Sequence, residues 1–209
     1  MDVLRVQFAT GENANKKEIE MPEQQDMPGA PQVRVKGNHI FFYDQIDQES
    51  AMTLNECLFD LERDGDWRNQ QFGSCNNTIL LHINSYGGGV FDALSVADTI
   101  RSLKSEVHTI IEGAAMSGAT VISLAGTKRF MRKNATVLIH QARQGMGGEL
   151  TSEQIKDLNT NNDLTEARLL EIYDENTSMD RKEILELLKH DLYLNSEQCL
   201  QKGIIDEII

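Results

Sequence analysis

The chain has 209 residues, 40% of them apolar, with a formal net charge of −13 and three cysteines. That length suits one domain with a sizeable core. The acidic balance excludes a non-specific nucleic-acid binder, which needs a basic face, and argues against docking on an anionic membrane. No apolar run approaches the roughly 20 residues of a bilayer span, and the N-terminus lacks the charged-then-apolar pattern of a secretory signal. Cys57, Cys75 and Cys199 show no CxxC spacing, so reduced thiols in a cytoplasmic compartment are expected.

All three prolines, Pro22, Pro28 and Pro31, fall in a polar opening stretch. Residues 1–31 are therefore expected to form an arm that is partly disordered or ordered only by a partner, and 32–209 the compact domain. Val33–Val35 and Ile40–Tyr43 read as strands around Gly37-Asn38. Met52, Leu54, Cys57, Leu58 and Leu61 follow a helical period over Ser50–Leu61. The polar stretch Asp64–Asn77, containing Gly65 and Gly73, reads as a loop. Thr78–Ile83 is a short apolar strand.

Gly87-Gly88-Gly89 then opens a helix whose buried face would carry Leu94, Ala97, Ile100 and Leu103. Strands are expected at Val107–Ile111, Arg129–Met131 and Thr136–His140, with a helix over Ser117–Leu124. Such alternation implies an α/β fold with a mostly parallel sheet and crossover helices. From Thr151 to Tyr173 a long helix is expected, opened by a capping box of Thr151 and Gln154. Its narrow stripe of Ile155, Leu158, Leu169 and Ile172 suggests that it projects and packs on another subunit. Helices over Arg181–Leu188 and Ser196–Lys202 finish the chain.

The chemistry centres on Ser117, in the run Gly113-Ala114-Ala115-Met116-Ser117-Gly118. A hydroxyl becomes a useful nucleophile when a base takes its proton, and a carboxylate orients that base. His140, at a strand end, and Asp191 could supply these roles. Among small residues Ser117 equally suits close helix packing, and Asp191 equally suits a turn. His82 lies inside a strand and reads as a packed imidazole. Gly87 and Gly88 allow bare N–H groups to approach an oxygen, as does Gly118 at a helix start. Two such donors aimed at one point make an oxyanion hole. Neither a dinucleotide fingerprint nor a Walker pattern occurs, and no Cys/His cluster has zinc spacing, so no cofactor or metal is expected.

At these residues the chain resembles the Clp protease proteolytic subunit family, the ClpP serine peptidases. The family's Ile-Asn-Ser-Pro-Gly-Gly is similar to Ile83-Asn84-Ser85-Tyr86-Gly87-Gly88, and its nucleophile segment resembles Gly113 to Thr120 followed by Ala125-Gly126. Ile139-His140-Gln141 matches its histidine segment, and Asp191-Leu192-Tyr193-Leu194 through Gly203-Ile204-Ile205-Asp206 its C-terminal pattern. Together the matches run from about Val33 to Ile209.

The resemblance implies the ClpP/crotonase-like fold of repeated β-β-α units, with a projecting handle helix at about 142–175. It implies Ser117 as nucleophile, His140 as base, Asp191 as orienting acid, and Gly87 or Gly88 with Gly118 as the oxyanion hole. Gln141, Ala142, Arg143 and Gly145 would lie on a segment that pairs with an extended polypeptide substrate. It further implies two stacked heptameric rings fed by an AAA+ ATPase.

Departures from the family pattern are Tyr86 for Pro, Met116 before the nucleophile, Ala142 for Pro, and Lys189-His190 before the acid. An inactive structural subunit of the same fold is the alternative from another class. A crotonase-like acyl-CoA enzyme is a third, in which a Ser-His-Asp set would be redundant.

Overall fold

The computed structural model describes residues 33–73, 77–142 and 149–209. The expected arm at 1–31 and the expected substrate contacts Arg143 and Gly145 lie outside the described residues. Among the described residues the order is β1 (Val33–Lys36), β2 (His39–Phe42), α1 (Gln48–Phe72), β3 (Ile79–Ser85), α2 (Val90–Ser102), β4 (Val107–Met116), α3 (Gly118–Leu124), β5 (Lys128–Met131), β6 (Thr136–Leu138), α4 (Ser152–Asn176), α5 (Arg181–Leu188), β7 (Tyr193–Leu194), α6 (Ser196–Gln201) and β8 (Glu207–Ile208).

The main path of the sheet runs β1-β2-β3-β4-β5-β8. Only β1 is antiparallel along it; β2 through β8 pair in parallel. Parallel neighbours require crossovers, and α1, α2 and α3 supply them. One face of the sheet carries Ile40, Phe42, Leu81, Ile83 and Ile111, all fully buried, and Leu54, Leu58, Val96, Ala97 and Ile122 of the helices are buried in the same core. The buried stripe of α2 is Ala93, Val96, Ala97 and Ile100, while Leu94 and Leu103 are only half-buried. The helix is thus turned slightly from the expected face, because its smallest residues allow the closest approach to the sheet.

The opposite face of the sheet is polar where β3 and β4 meet. His82 is 6% exposed, stacks on Phe41 at 4.5 Å, and hydrogen-bonds His39 (2.9 Å) and Glu112 (2.6 Å). It is the packed imidazole expected of a strand interior. Burial opposes ionisation of Glu112, yet its bonds to His82 and Arg132 outweigh burial and hold the carboxyl below the usual range.

The expected loop over Asp64–Asn77 is instead helical as far as Phe72. A capping box of Asp47 and Ser50 starts α1, and an established helix propagates cheaply through polar residues. Gly65, read as a loop residue, is buried, and a Cβ there would press on the Asn77 side chain at 2.8 Å. Its role is close packing. The break comes at Gly73, whose φ is 83°.

β4 also runs past its expected end at Ile111 to Met116. Ile83 faces Ile111 but Ser85 faces Ala115, so β4 carries extra residues across this stretch. The Asn84 side chain fills the gap by accepting the Ala114 N–H at 3.0 Å. Before the irregularity β4 pairs with β5; after it, Ala114–Met116 pair with β6. The small residues there carry no strand propensity of their own, and the new partner makes the strand.

The C-terminal segment locks this arrangement. Ile204 and Ile205 are buried, and Asp206 takes the Arg129 guanidinium (2.6 Å) and the Arg129 N–H (2.8 Å). Arg129 also reaches the Asn176 carbonyl at the end of α4. Burial works against the Asp206 charge, but the Arg129 bonds outweigh it and keep the carboxyl below its ordinary range. Its folded pKa therefore lies below the unfolded one, so this contribution is complete above about pH 4 and is lost as the pH falls through the folded value. The pair is partly solvated, so Asp206→Asn should cost only about 1 kcal/mol at neutral pH. Thermal melts should show the gap to the wild-type Tm closing below about pH 4.

Candidate active site

The extended β4 delivers Ser117 to the carboxyl end of the sheet, where open α/β sheets place ligands. Ser117 has φ 53° and ψ −123°, and it is the only non-glycine residue with positive φ among the described residues. Such a conformation costs on the order of 1–3 kcal/mol and persists only when its surroundings enforce it. The Ser117 N–H bonds the Leu138 carbonyl of β6 at 2.9 Å. The Ser117 carbonyl accepts the Thr120 N–H at 3.0 Å and the Thr120 hydroxyl at 2.6 Å. Thr120 Oγ1 in turn lies 2.5 Å from the Tyr173 hydroxyl of α4.

Strand register brings the expected base and acid together. In the antiparallel pair β6·β7, Val137 faces Leu194 and Leu138 faces Tyr193. Continuing that register by two residues places His140 opposite Asp191. His140 Nδ1 and Asp191 Oδ1 are 3.2 Å apart, with the His140 side chain 14% and the Asp191 side chain 54% exposed. The neighbouring pair β4·β6 aligns Met116 with Leu138, so Ser117 ends its strand beside the segment leading into His140. Just before Asp191, Lys189 and His190 both bond Glu186, at 3.0 and 3.2 Å. Lys189 foremost, and His190 with it, lowers the Glu186 pKa.

Gly87 and Gly88 complete the surroundings. At Gly87, φ is 90°, and an added Cβ would overlap the Met116 carbonyl oxygen and lie 2.8 Å from Ser117 Cβ. Only glycine lets the chain after β3 come this close to the Ser117 turn. Gly88, with φ 148°, forms a parallel bridge to Ile46. That bridge uses the Gly87 carbonyl (2.8 Å) and the Gly89 N–H (2.7 Å), so the Gly88 N–H points away from Ile46. The Gly87 N–H is given to Ser85 Oγ at 3.1 Å. Gly118 starts α3, where first-turn N–H groups have no intrahelical acceptor. The Gly118 backbone is near Gly87, at 3.2 Å from that same added Cβ.

Of the expected substrate contacts, Gln141 and Ala142 follow His140 directly. The Gln141 N–H is committed to the Leu188 carbonyl at 2.9 Å, and Ala142 packs against the core. Sequence reasoning missed Ser85, Thr120 and Tyr173. A hydroxyl at position 120, inside the otherwise small and apolar run after Ser117, was the available signal. Nothing local connects it to Tyr173. No group of three or more His, Cys, Asp or Glu able to hold a metal occurs among the described residues.

The chain matches the Clp protease family over residues 31–209. It is 36% identical over 133 residues to a protein of Streptococcus mutans named ATP-dependent Clp protease proteolytic subunit, covering 63% of this chain and 68% of that relative. A protein of the same name from Streptococcus pyogenes is similar to the same extent. A solved structure of a ClpP1 point mutant from Listeria monocytogenes superposes with a TM-score of 0.71 at 25% identity, covering 83% of this chain and 91% of that one. The fold is that of ClpP.

The fit of Gly87 against the serine can be tested directly. Gly87→Ala should displace the Ser117 turn, and displacements of about 1 Å cost reactivity on the order of a hundredfold. The rate at which a fluorophosphonate labels Ser117 should fall accordingly, with far-UV circular dichroism unchanged.

Proposed function

We propose that this chain, which belongs to the Clp protease family, is a serine endopeptidase subunit acting on unfolded polypeptides. The observation that carries this reading is the β6·β7 register, which sets His140 against Asp191 beside the strained Ser117 turn. Ser117 attacks the scissile carbonyl. His140 takes its proton and later returns it to the leaving amine, while Asp191 orients the ring and stabilises the imidazolium. The developing oxyanion is met by the Gly118 N–H and by the Gly88 N–H. Gly88 suits this better than Gly87, whose N–H already serves Ser85.

Substrate is held as an extended strand along the segment after His140, including Ala142, Arg143 and Gly145. Gln141 contributes through its side chain and carbonyl, its N–H being occupied. The subunits assemble as two stacked heptameric rings in the cytoplasm, with the sites inside and an AAA+ ATPase feeding chains to them. The handle α4 supports such an assembly: Ile155 is 47% and Leu164 60% exposed, which leaves apolar surface for another copy to cover. The name of the streptococcal relatives agrees with an ATPase partner.

Purified protein treated with a fluorophosphonate and peptide-mapped should carry the label on Ser117, and His140→Ala should abolish labelling. Ser117→Ala should remove hydrolysis of a fluorogenic peptide, whereas label on another residue would sink the assignment. Leu164→Glu should split the double ring, read by native mass as a halved assembly; an unchanged mass would remove the handle from the ring contact.

A further inference from the structure

We propose that Thr120 and Tyr173 are positioning residues for the nucleophile turn. Tyr173 donates to Thr120, Thr120 donates to the Ser117 carbonyl, and the chain of hydroxyls fixes the plane of the Ser117–Gly118 peptide. The inference rests on the reading of Ser117 as nucleophile and of Gly118 as an oxyanion donor.

Proton bookkeeping sets the direction of the chain. A carbonyl has no proton to give, so the 2.6 Å contact commits the single Thr120 hydroxyl proton to the Ser117 oxygen. Thr120 Oγ1 can then only accept in its 2.5 Å contact with Tyr173, and the Tyr173 O–H is the donor. Thr120 is 1% and Tyr173 2% exposed, so water does not compete for either bond. Burial pushes the Tyr173 hydroxyl up to about 12, against the opposing pull of its bond to Thr120. Tyr173 therefore keeps its proton, and stays a donor, throughout the neutral range.

The geometric consequence follows from the planarity of the peptide bond. In a trans peptide the C=O of one residue and the N–H of the next lie in one plane and point in opposite directions. Holding the Ser117 carbonyl on Thr120 therefore aims the Gly118 N–H the other way, away from Thr120, with the Gly118 nitrogen close to Gly87. Ser117 has φ 53°, a region in which a non-glycine residue stays only under constraint. Its N–H is held by β6 and its carbonyl by Thr120. Tyr173 adds α4, the handle, to that constraint.

The role differs from ordinary packing because an oxyanion donor acts on charge that exists only in the transition state. Thr120→Val keeps the shape and removes the hydroxyl; Thr120→Ser keeps the hydroxyl. On a fluorogenic peptide, Thr120→Val should lower kcat about tenfold with KM unchanged, the scale of a buried hydrogen bond lost. Thr120→Ser should restore most of the rate. Tyr173→Phe should lower kcat about threefold, and in a Thr120→Val background it should have no further effect, since it acts through Thr120. Native mass and Tm establish that each variant is assembled and folded.

Wild-type kcat in both Thr120→Val and Tyr173→Phe, with Ser117→Ala inactive, overturns the proposal alone. So does equal damage in Thr120→Val and Thr120→Ser, or an additive double variant. Hydrolysis surviving in Ser117→Ala would instead remove the nucleophile reading on which the inference stands.

Discussion

A serine held at φ 53° is the constraint around which the rest of this domain is arranged. That backbone conformation is uphill by itself, so its neighbours must hold it from several directions. The Leu138 carbonyl of β6 takes its N–H and Thr120 grips its carbonyl, while Gly87, lacking a Cβ, leaves the turn the space it occupies. The first hold comes from β6, about twenty residues on, the second from α3, which begins at the next residue, and the space from the turn after β3. The strain can persist because β6 and α3 are themselves anchored by residues buried in the core.

The geometry that allows this is a change of partner within β4. Its first half completes a parallel sheet with β3 and β5, and its second half leaves β5 for β6. At the change, Asn84 reaches across to the Ala114 N–H, replacing a ladder bond that the irregular register forfeits. The partner switch creates a short branch of the sheet, β4-β6-β7, whose antiparallel part sets His140 against Asp191. A histidine and a carboxylate separated along the chain by the whole of α4 and α5 are thereby aligned by two residues of strand pairing.

The helix α4 links two kinds of surface. Its N-terminal part is capped by Thr151 and Gln154 and exposes Ile155 and Leu164. Its C-terminal part buries Leu169, Leu170, Ile172 and Tyr173 against the domain, and Tyr173 reaches the Ser117 turn through Thr120. One helix thus carries both the exposed Ile155 and Leu164 and, through Thr120, a link to the backbone of the serine. The Arg129–Asp206 clamp fastens the far end of the same helix, because Arg129 also takes the Asn176 carbonyl.

Much of this was readable along the chain. Periodicity and turn residues located most strands and helices to within a few residues. The capping box at Thr151, the packed His82 and the four motif segments stood at the expected places. Those features are local: a cap, an apolar period or a glycine turn depends on residues a few positions apart. The second half of α1 reads as a loop in the sequence because composition is a weak guide where Gly65 serves packing on Asn77 rather than flexibility. The end of β4 does not read as a strand in the sequence because Ala114–Met116 become one only when β6 pairs with them. Residue types alone named Ser117, His140 and Asp191 without bringing them together. The meeting of His140 with Asp191, the positive φ of Ser117 and the hydroxyl chain from Tyr173 arise from pairings between distant segments, which depend on how the elements pack and leave no local trace in the order of residues.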